Sequence, residues 1–221
     1  MSYTKQKFRD GTVLTAAQLN KIEDGLCGYG NGVAAKNISN TNLLDQLKKC
    51  ESGKFRGENV TNAPNKYWWY YDIICDCDTY AVVNAYRYGT HNTYCRAAYV
   101  DGVLKPWEWV NPPMYAGTEY RTTKRAGGYA VYTKRIRWKN TNAVGDTKKN
   151  TDISIPHGIS NFGTIQSVKA RTPFYTLPFT HSNGAFTGVT GVGENNINLR
   201  FYKCTWTAGT TWTIDLEYTK E

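Results

Sequence analysis

Thr211-Trp212-Thr213-Ile214-Asp215-Leu216-Glu217-Tyr218 is the stretch that decides the fold. Trp212, Ile214, Leu216 and Tyr218 fall at every second position, on one face of an extended chain. Thr211, Thr213, Asp215 and Glu217 share the other face. A segment that buries one side and wets the other reads as a strand of an antiparallel sheet, with Trp212 and Tyr218 in the core. Upstream, Ile197–Trp206 reads as its hairpin partner, with Ala208-Gly209 at the turn. Further strand-like runs cover Tyr129–Trp138, Thr151–Ile155 and Thr164–Ala170, with Asn/Gly/Thr-rich loops between them. Several strands at this spacing predict an antiparallel, jelly-roll-like β-sandwich over residues 112–221.

Working towards the N-terminus, Asn111-Pro112-Pro113 reads as a semi-rigid linker. The preceding residues 37–111 read as a small α+β module. Trp68, Tyr70, Asp72 and Ile74 alternate with Trp69, Tyr71, Ile73 and Cys75, so both faces are largely apolar and a strand covered on both sides is expected. Ala81-Val82-Val83 and Tyr94–Val100 are further strand-like runs, with Gly89, Asp101-Gly102 and Pro106 marking turns. A short helix carrying Leu43, Leu44 and Leu47 is expected, capped by Asn40 or Thr41 and broken at Gly53. Residues 1–36 predict a helix capped by Thr15. Leu19, Ile22 and Leu26 stand at a/d spacing of a heptad, and Tyr29 and Val33 continue the seam. A helix this short is marginal alone, so its stripe is expected against the rest of the chain or against copies of itself.

Composition narrows the class. The 221 residues are 40% hydrophobic and 14% aromatic, with 17 Tyr and 7 Trp. No segment approaches the ~20 consecutive apolar residues of a membrane span, so no membrane insertion is expected. No apolar run follows Met1-Ser2-Tyr3-Thr4-Lys5, so no secretory signal is expected. Cys27, Cys50, Cys75, Cys77, Cys95 and Cys204 are accordingly expected as free thiols made in a reducing cytoplasm. Cys75-Asp76-Cys77 has the wrong spacing for a Cys-x-x-Cys zinc pair. The net charge of +9 is regional, because residues 112–139 carry seven basic side chains and one acidic one. Such a stretch can meet phosphates, although a solvated surface is the commoner explanation, and no nucleic-acid-binding motif accompanies it.

Three segments carry a resemblance. The run Phe8-Arg9-Asp10-Gly11-Thr12-Val13-Leu14-Thr15 through Ala16-Ala17-Gln18-Leu19-Asn20-Lys21-Ile22-Glu23-Asp24-Gly25 resembles an N-terminal signature of bacteriophage tail-fibre and baseplate-associated proteins. Leu44-Asp45-Gln46-Leu47, Gly53-Lys54-Phe55-Arg56-Gly57, Thr61-Asn62-Ala63-Pro64, Tyr94-Cys95-Arg96 and Trp107-Glu108-Trp109 are similar to the pyocin-knob type of module. Gly117-Thr118-Glu119-Tyr120-Arg121-Thr122-Thr123, Tyr129-Ala130-Val131-Tyr132-Thr133-Lys134 and Leu216-Glu217-Tyr218-Thr219-Lys220 resemble the terminal β-sandwich head of phage receptor-binding proteins. The resemblance implies a homotrimer in a virion tail, with its N-terminus on a tail or baseplate protein and its head on the bacterial surface. It implies no cofactor. The usual shaft is missing, so a short fibre or baseplate knob is expected.

Catalytic signatures are sparse. His91, His157 and His181 fall in no zinc motif, and no G-x-S-x-G elbow occurs. Asp72, Asp76 and Asp78 share a parity that paired carboxylates of a glycan-cleaving tail enzyme would need, but the repeats of a β-helix are lacking. Glycan binding is better supported, because aromatic rings stack on sugar faces and Tyr and Trp order cheaply. The loop from Thr172 to Gly184 and the turn near Trp206 offer Tyr175, Phe179, His181 and Trp206 as receptor contacts, with closure of the core as the plainer role for each. The expected protein is therefore a non-enzymatic receptor-binding tail protein. A glycan-cleaving enzyme and a purely structural baseplate or collar subunit are the alternatives. If the Leu19/Ile22/Leu26 stripe mediates assembly, light scattering of the full chain gives a trimer mass, and Ile22→Asp with Leu26→Asp shifts it to monomer.

Overall fold

The computed structural model describes Thr15 and residues 35–90, 92–180 and 184–221. The expected N-terminal helix, with Leu19, Ile22, Leu26 and Cys27, lies outside the described residues, as do His91 and His181. The described chain is mainly β and divides into two compact units, one ending at Trp107 and the other spanning Glu108–Glu221. Glu108–Asn111, placed with the knob on sequence, therefore belong with the second unit.

In the first unit, β1 (Lys36–Asn37) runs parallel to β2 (Gly53–Gly57). β2 continues antiparallel into β3 (Trp69–Cys75), β4 (Ala81–Arg87) and β5 (Tyr94–Val100), with β6 (Val103–Leu104) folding back on β5. The helix α1 (Leu43–Lys48) buries Leu43 and Leu47. Its cap is Asn42, whose side chain accepts from the Leu44 N–H, rather than Asn40 or Thr41. Asn40 sits at positive φ, and the Thr41 hydroxyl donates to the Ile38 carbonyl, so neither is free for the helix.

Among the described residues the sheet is covered on one face only, against expectation. Trp69, Tyr71 and Ile73 are buried with Val83, Ala85, Cys95 and Ala97, while Tyr70, Ile74, Val82 and Tyr86 are exposed. The registers explain this: Tyr70 faces Tyr86 and Ile74 faces Val82, so the outward positions line up across strands. Tyr86 stacks on Tyr94 at 4.8 Å with 9° between the rings, which shields part of the apolar surface without burying it.

The second unit is built on two mainly antiparallel sheets. β7 (Glu108–Asn111) pairs in parallel with β8 (Glu119–Ala126) at Trp109 and Thr122. β8 turns at Gly127-Gly128 into β9 (Tyr129–Lys139). β9 pairs with β17 (Thr211–Lys220), which pairs in turn with β12 (Phe162–Arg171). The basic stretch 112–139 is thus mostly a hairpin of this sheet. The second sheet runs β11 (Asn150–Pro156), β15 (Asn196–Tyr202), β14 (Phe186–Val192), β13 (Phe179–Thr180). A small pair, β10 (Val144–Gly145) with β16 (Thr205–Trp206), stands beside them. The expected terminal hairpin is corrected. Ala208-Gly209 does form a turn, but β16 pairs with β10, and β17 lies between β9 and β12.

β14 escaped the sequence reading because it carries Gly188 and Gly191. The Phe186 ring lies over Gly188, where a Cβ would meet it at 2.5 Å. Gly145 is required more strictly, since it has φ +91° and an added Cβ would stand 2.1 Å from the Cys204 carbonyl oxygen.

The inward residues of both sheets form one core. Trp212, Ile214, Leu216 and Tyr218 from β17 are fully buried, as their alternation predicts, with Ile197, Leu199 and Phe201 from β15. Trp212 meets Phe201 edge-on at 5.6 Å and Trp138 at 6.3 Å. The Tyr218 hydroxyl donates to the Glu119 carboxylate, and Lys220 pairs with that carboxylate at 2.6 Å. All cysteines among the described residues are free thiols. Trp212→Ala is expected to cost about 3–5 kcal/mol in denaturant unfolding. Trp212→Phe should cost much less, because the Trp212 Nε1 has no hydrogen-bond partner among the described residues and the ring packing is kept.

Candidate functional site

The core reaches the surface through a chain of rings. After β15 the backbone turns at Lys203, which has φ 50°, and β16 presents Trp206 edge-on to Trp212 with centroids 5.0 Å apart. The indole Nε1–H of Trp206 donates to Thr187 Oγ1 at 3.0 Å, and Thr187 is itself fully buried. Tyr175 meets Trp206 at 5.6 Å and Phe179 at 4.3 Å. Phe174 follows on the outside, 6.5 Å from Tyr175.

The loop between β12 and β13 holds this arrangement by local hydrogen bonds. The Thr172 N–H donates to the Tyr175 carbonyl at 2.8 Å, and Thr172 Oγ1 accepts from the Tyr175 N–H at 3.1 Å. Leu177, buried in the core, anchors the far side, and its N–H donates to the Ala170 carbonyl at 2.8 Å. A closed turn between buried Thr172 and buried Leu177 pushes Phe174 and Tyr175 outward. Phe174 is 86% exposed and Tyr175 41% exposed.

Of the four receptor contacts expected from sequence, Tyr175, Phe179 and Trp206 come together, and His181 lies outside the described residues. Phe179 and Trp206 are half-buried and packed against the core. The rings that face outward most are Phe174 and Tyr175. Phe174 was quoted within the loop but not singled out. Its place directly after Pro173 marks a turn, yet exposure at one position is set by the Thr172 hydrogen bonds.

The charged residues of the basic stretch are largely paired. Arg121 and Arg125 both reach Glu108, Lys124 reaches Glu217, and Arg135 makes a two-pronged pair with Asp215 at 2.6 and 2.8 Å. The hydrogen bonds that Arg135 donates to the Asp215 carboxylate raise its guanidinium above its ordinary pKa. Asp72 lies within β3, but Asp76 and Asp78 stand in the turn beyond its end, so one strand does not present the three carboxylates together. His157 is buried. Its Nδ1 accepts from the Ile159 N–H, which leaves Nε2–H to donate to the Gly193 carbonyl at 3.0 Å. That pattern locks a turn. No group of His, Cys, Asp and Glu suited to a metal ion occurs among the described residues.

No protein-family model matches the chain, and no curated protein matches it. The chain is similar to solved pyocin tail fibres. A C-terminal piece of the P. aeruginosa R1 pyocin fibre aligns over 87% of this chain and 69% of its own, with 9% identity and a TM-score of 0.31. An N-truncated R2-type pyocin tail fibre aligns over 85% of this chain and 98% of its own, with 10% identity and a TM-score of 0.30.

Removing the rings should separate packing from display. Trp206→Ala is expected to lower unfolding stability by about 2–4 kcal/mol, whereas Phe174→Ala should stay within about 0.5 kcal/mol of the parent in the same denaturant titration.

Proposed function

We propose that this chain is a receptor-binding protein of a phage or phage-like tail, which attaches the particle to a bacterial surface glycan without chemistry. The observation that carries the reading is the Phe174–Tyr175 pair, held open to solvent on a turn rooted in the sandwich core. Exposed rings on a rigid base suit the apolar faces of sugars, because little side-chain freedom remains to be lost on binding. Thr176 follows them directly, is exposed and can hydrogen-bond sugar hydroxyls. The N-terminal tail-fibre signature and the order of segments along the sequence support the placement in a virion tail, with the N-terminus on the particle. The chain works as a homotrimer. The Leu19/Ile22/Leu26 stripe supports this, as does the exposed apolar face of Tyr70, Ile74, Val82 and Tyr86, which a neighbouring copy would take out of water. Weak single sites then gain strength from being presented together.

The reading without chemistry is supported by the placement of the candidate carboxylates: Asp72 lies within β3, whereas Asp76 and Asp78 stand in the turn beyond it, so they do not form the pair on one strand that glycan cleavage would use. Binding of the labelled full chain to host cells checks the reading. Saturable binding, weakened about tenfold or more by Phe174→Ala with Tyr175→Ala, is the expected outcome. Release of reducing ends from the isolated cell-wall glycan would instead make the protein a glycan-cleaving enzyme. No cell binding by an intact trimer would make it a structural subunit.

A further inference from the structure

The outward face of the β9–β17–β12 sheet, opposite the core, carries an uneven set of charges. The registers place Arg135, Asp215 and Lys169 in one row across the three strands, and Arg137, Thr213 and Arg171 in the next. Lys139 and Thr211 extend the face, and Thr133, Glu217 and Ser167 form the row on the other side. Neighbouring rows lie about 7 Å apart and neighbouring strands about 4.8 Å apart, so these groups form a grid. Asp215 spends both oxygens on Arg135, and Glu217 is taken by Lys124. Arg137, Lys139, Lys169 and Arg171 are exposed and form no ion pair among the described residues. The face therefore has local cationic charge that its own carboxylates do not neutralise.

At one end the grid opens into a cleft of about 260 Å³, in which Lys124, Arg135, Lys169 and Ser167 stand opposite Trp109 and Met114. That size suits one sugar-like unit rather than a long ligand, while the exposed cations continue away from it along the sheet. From this grid and cleft we infer a second binding site, separate from the aromatic loop, for the phosphate or carboxylate groups of an anionic polysaccharide. One unit sits in the cleft, and the next charged groups follow Lys169 and Arg171. The cleft favours a carbohydrate over a nucleic acid, because the hydroxyls of Thr123 and Ser167 on its wall can hydrogen-bond sugar hydroxyls. The cleft offers a single, buried ring, Trp109, and no ring stands among the exposed cations beyond it, so successive bases would find no row of rings to stack on. The choice of a carbohydrate polymer rests on the receptor-binding reading, whereas recognition of the anion does not.

The test is a binding titration of the full chain in 50 mM salt with four probes. These are poly(glycerol phosphate), polygalacturonate, neutral dextran and a thymidine 30-mer. Binding to one or both anionic polymers is expected, weakening about tenfold between 50 and 200 mM salt. Which of the two binds tells phosphate from carboxylate. Lys169→Gln with Arg171→Gln should weaken that binding at least about fivefold, with an unchanged unfolding transition, since both side chains are exposed. Phe174→Ala with Tyr175→Ala should leave it unchanged. Four results would overturn the site: no binding to either anionic polymer, equal binding to dextran, tighter binding to the oligonucleotide, or indifference to the Lys169/Arg171 change. Polymer binding that survives in a protein unable to bind cells would sink the receptor reading and leave the anion site standing.

Discussion

The second unit depends on the two-sided character of β17. It is a central strand, with β9 on one side and β12 on the other, so its ladder hydrogen bonds are satisfied along both edges. Its inward side chains, Trp212, Ile214, Leu216 and Tyr218, are fully buried. A fully buried Trp or Tyr removes roughly 150–250 Å² from water. At about 25 cal/mol/Å² that is some 4–6 kcal/mol for each ring before the cost of ordering it. A slip of one residue would drive Asp215 and Glu217 into this core and put the rings in water, so the register is fixed by chemistry.

Both surfaces proposed as functional descend from that strand. Trp212 is the inner end of the ring chain that passes through Trp206 to Tyr175. The site gains its rigidity there, because the loop's outermost rings rest on residues that cannot move without opening the core. The opposite face of β17 supplies Asp215 and Glu217, which hold Arg135 and Lys124 in place and leave the flanking cations facing solvent. The strand thus separates an apolar recognition surface from a charged one by a side-chain alternation of period two.

The sequence made the mainly-β class and the core face of β17 legible, because alternation is a local property. It also showed β9, β11, β12 and β17 to within a residue or two. It did not show which strands pair. Thr205–Trp206 and Thr211–Lys220 look like two arms of one hairpin, yet each found a partner remote in sequence, Val144–Gly145 and Tyr129–Lys139. In the first unit, the double apolar pattern of Trp68 to Cys75 pointed to a strand covered twice. The structure covers one face and leaves a tyrosine-rich one, because tyrosine is apolar in a pattern but tolerates water at its hydroxyl end.

By itself, then, the sequence determined the alternating strands, the turns at glycine and proline, and an aromatic loop worth watching between Thr172 and Gly184. Tertiary structure alone decided that Trp206 and Phe179 pack inward while Phe174 and Tyr175 face out. It also dispersed the basic stretch into ion pairs and drew Lys169 and Arg171 in beside what remained. Exposure and charge pairing depend on what lies across the sheet. Residues tens of positions apart meet there, and no periodicity within one strand encodes that meeting.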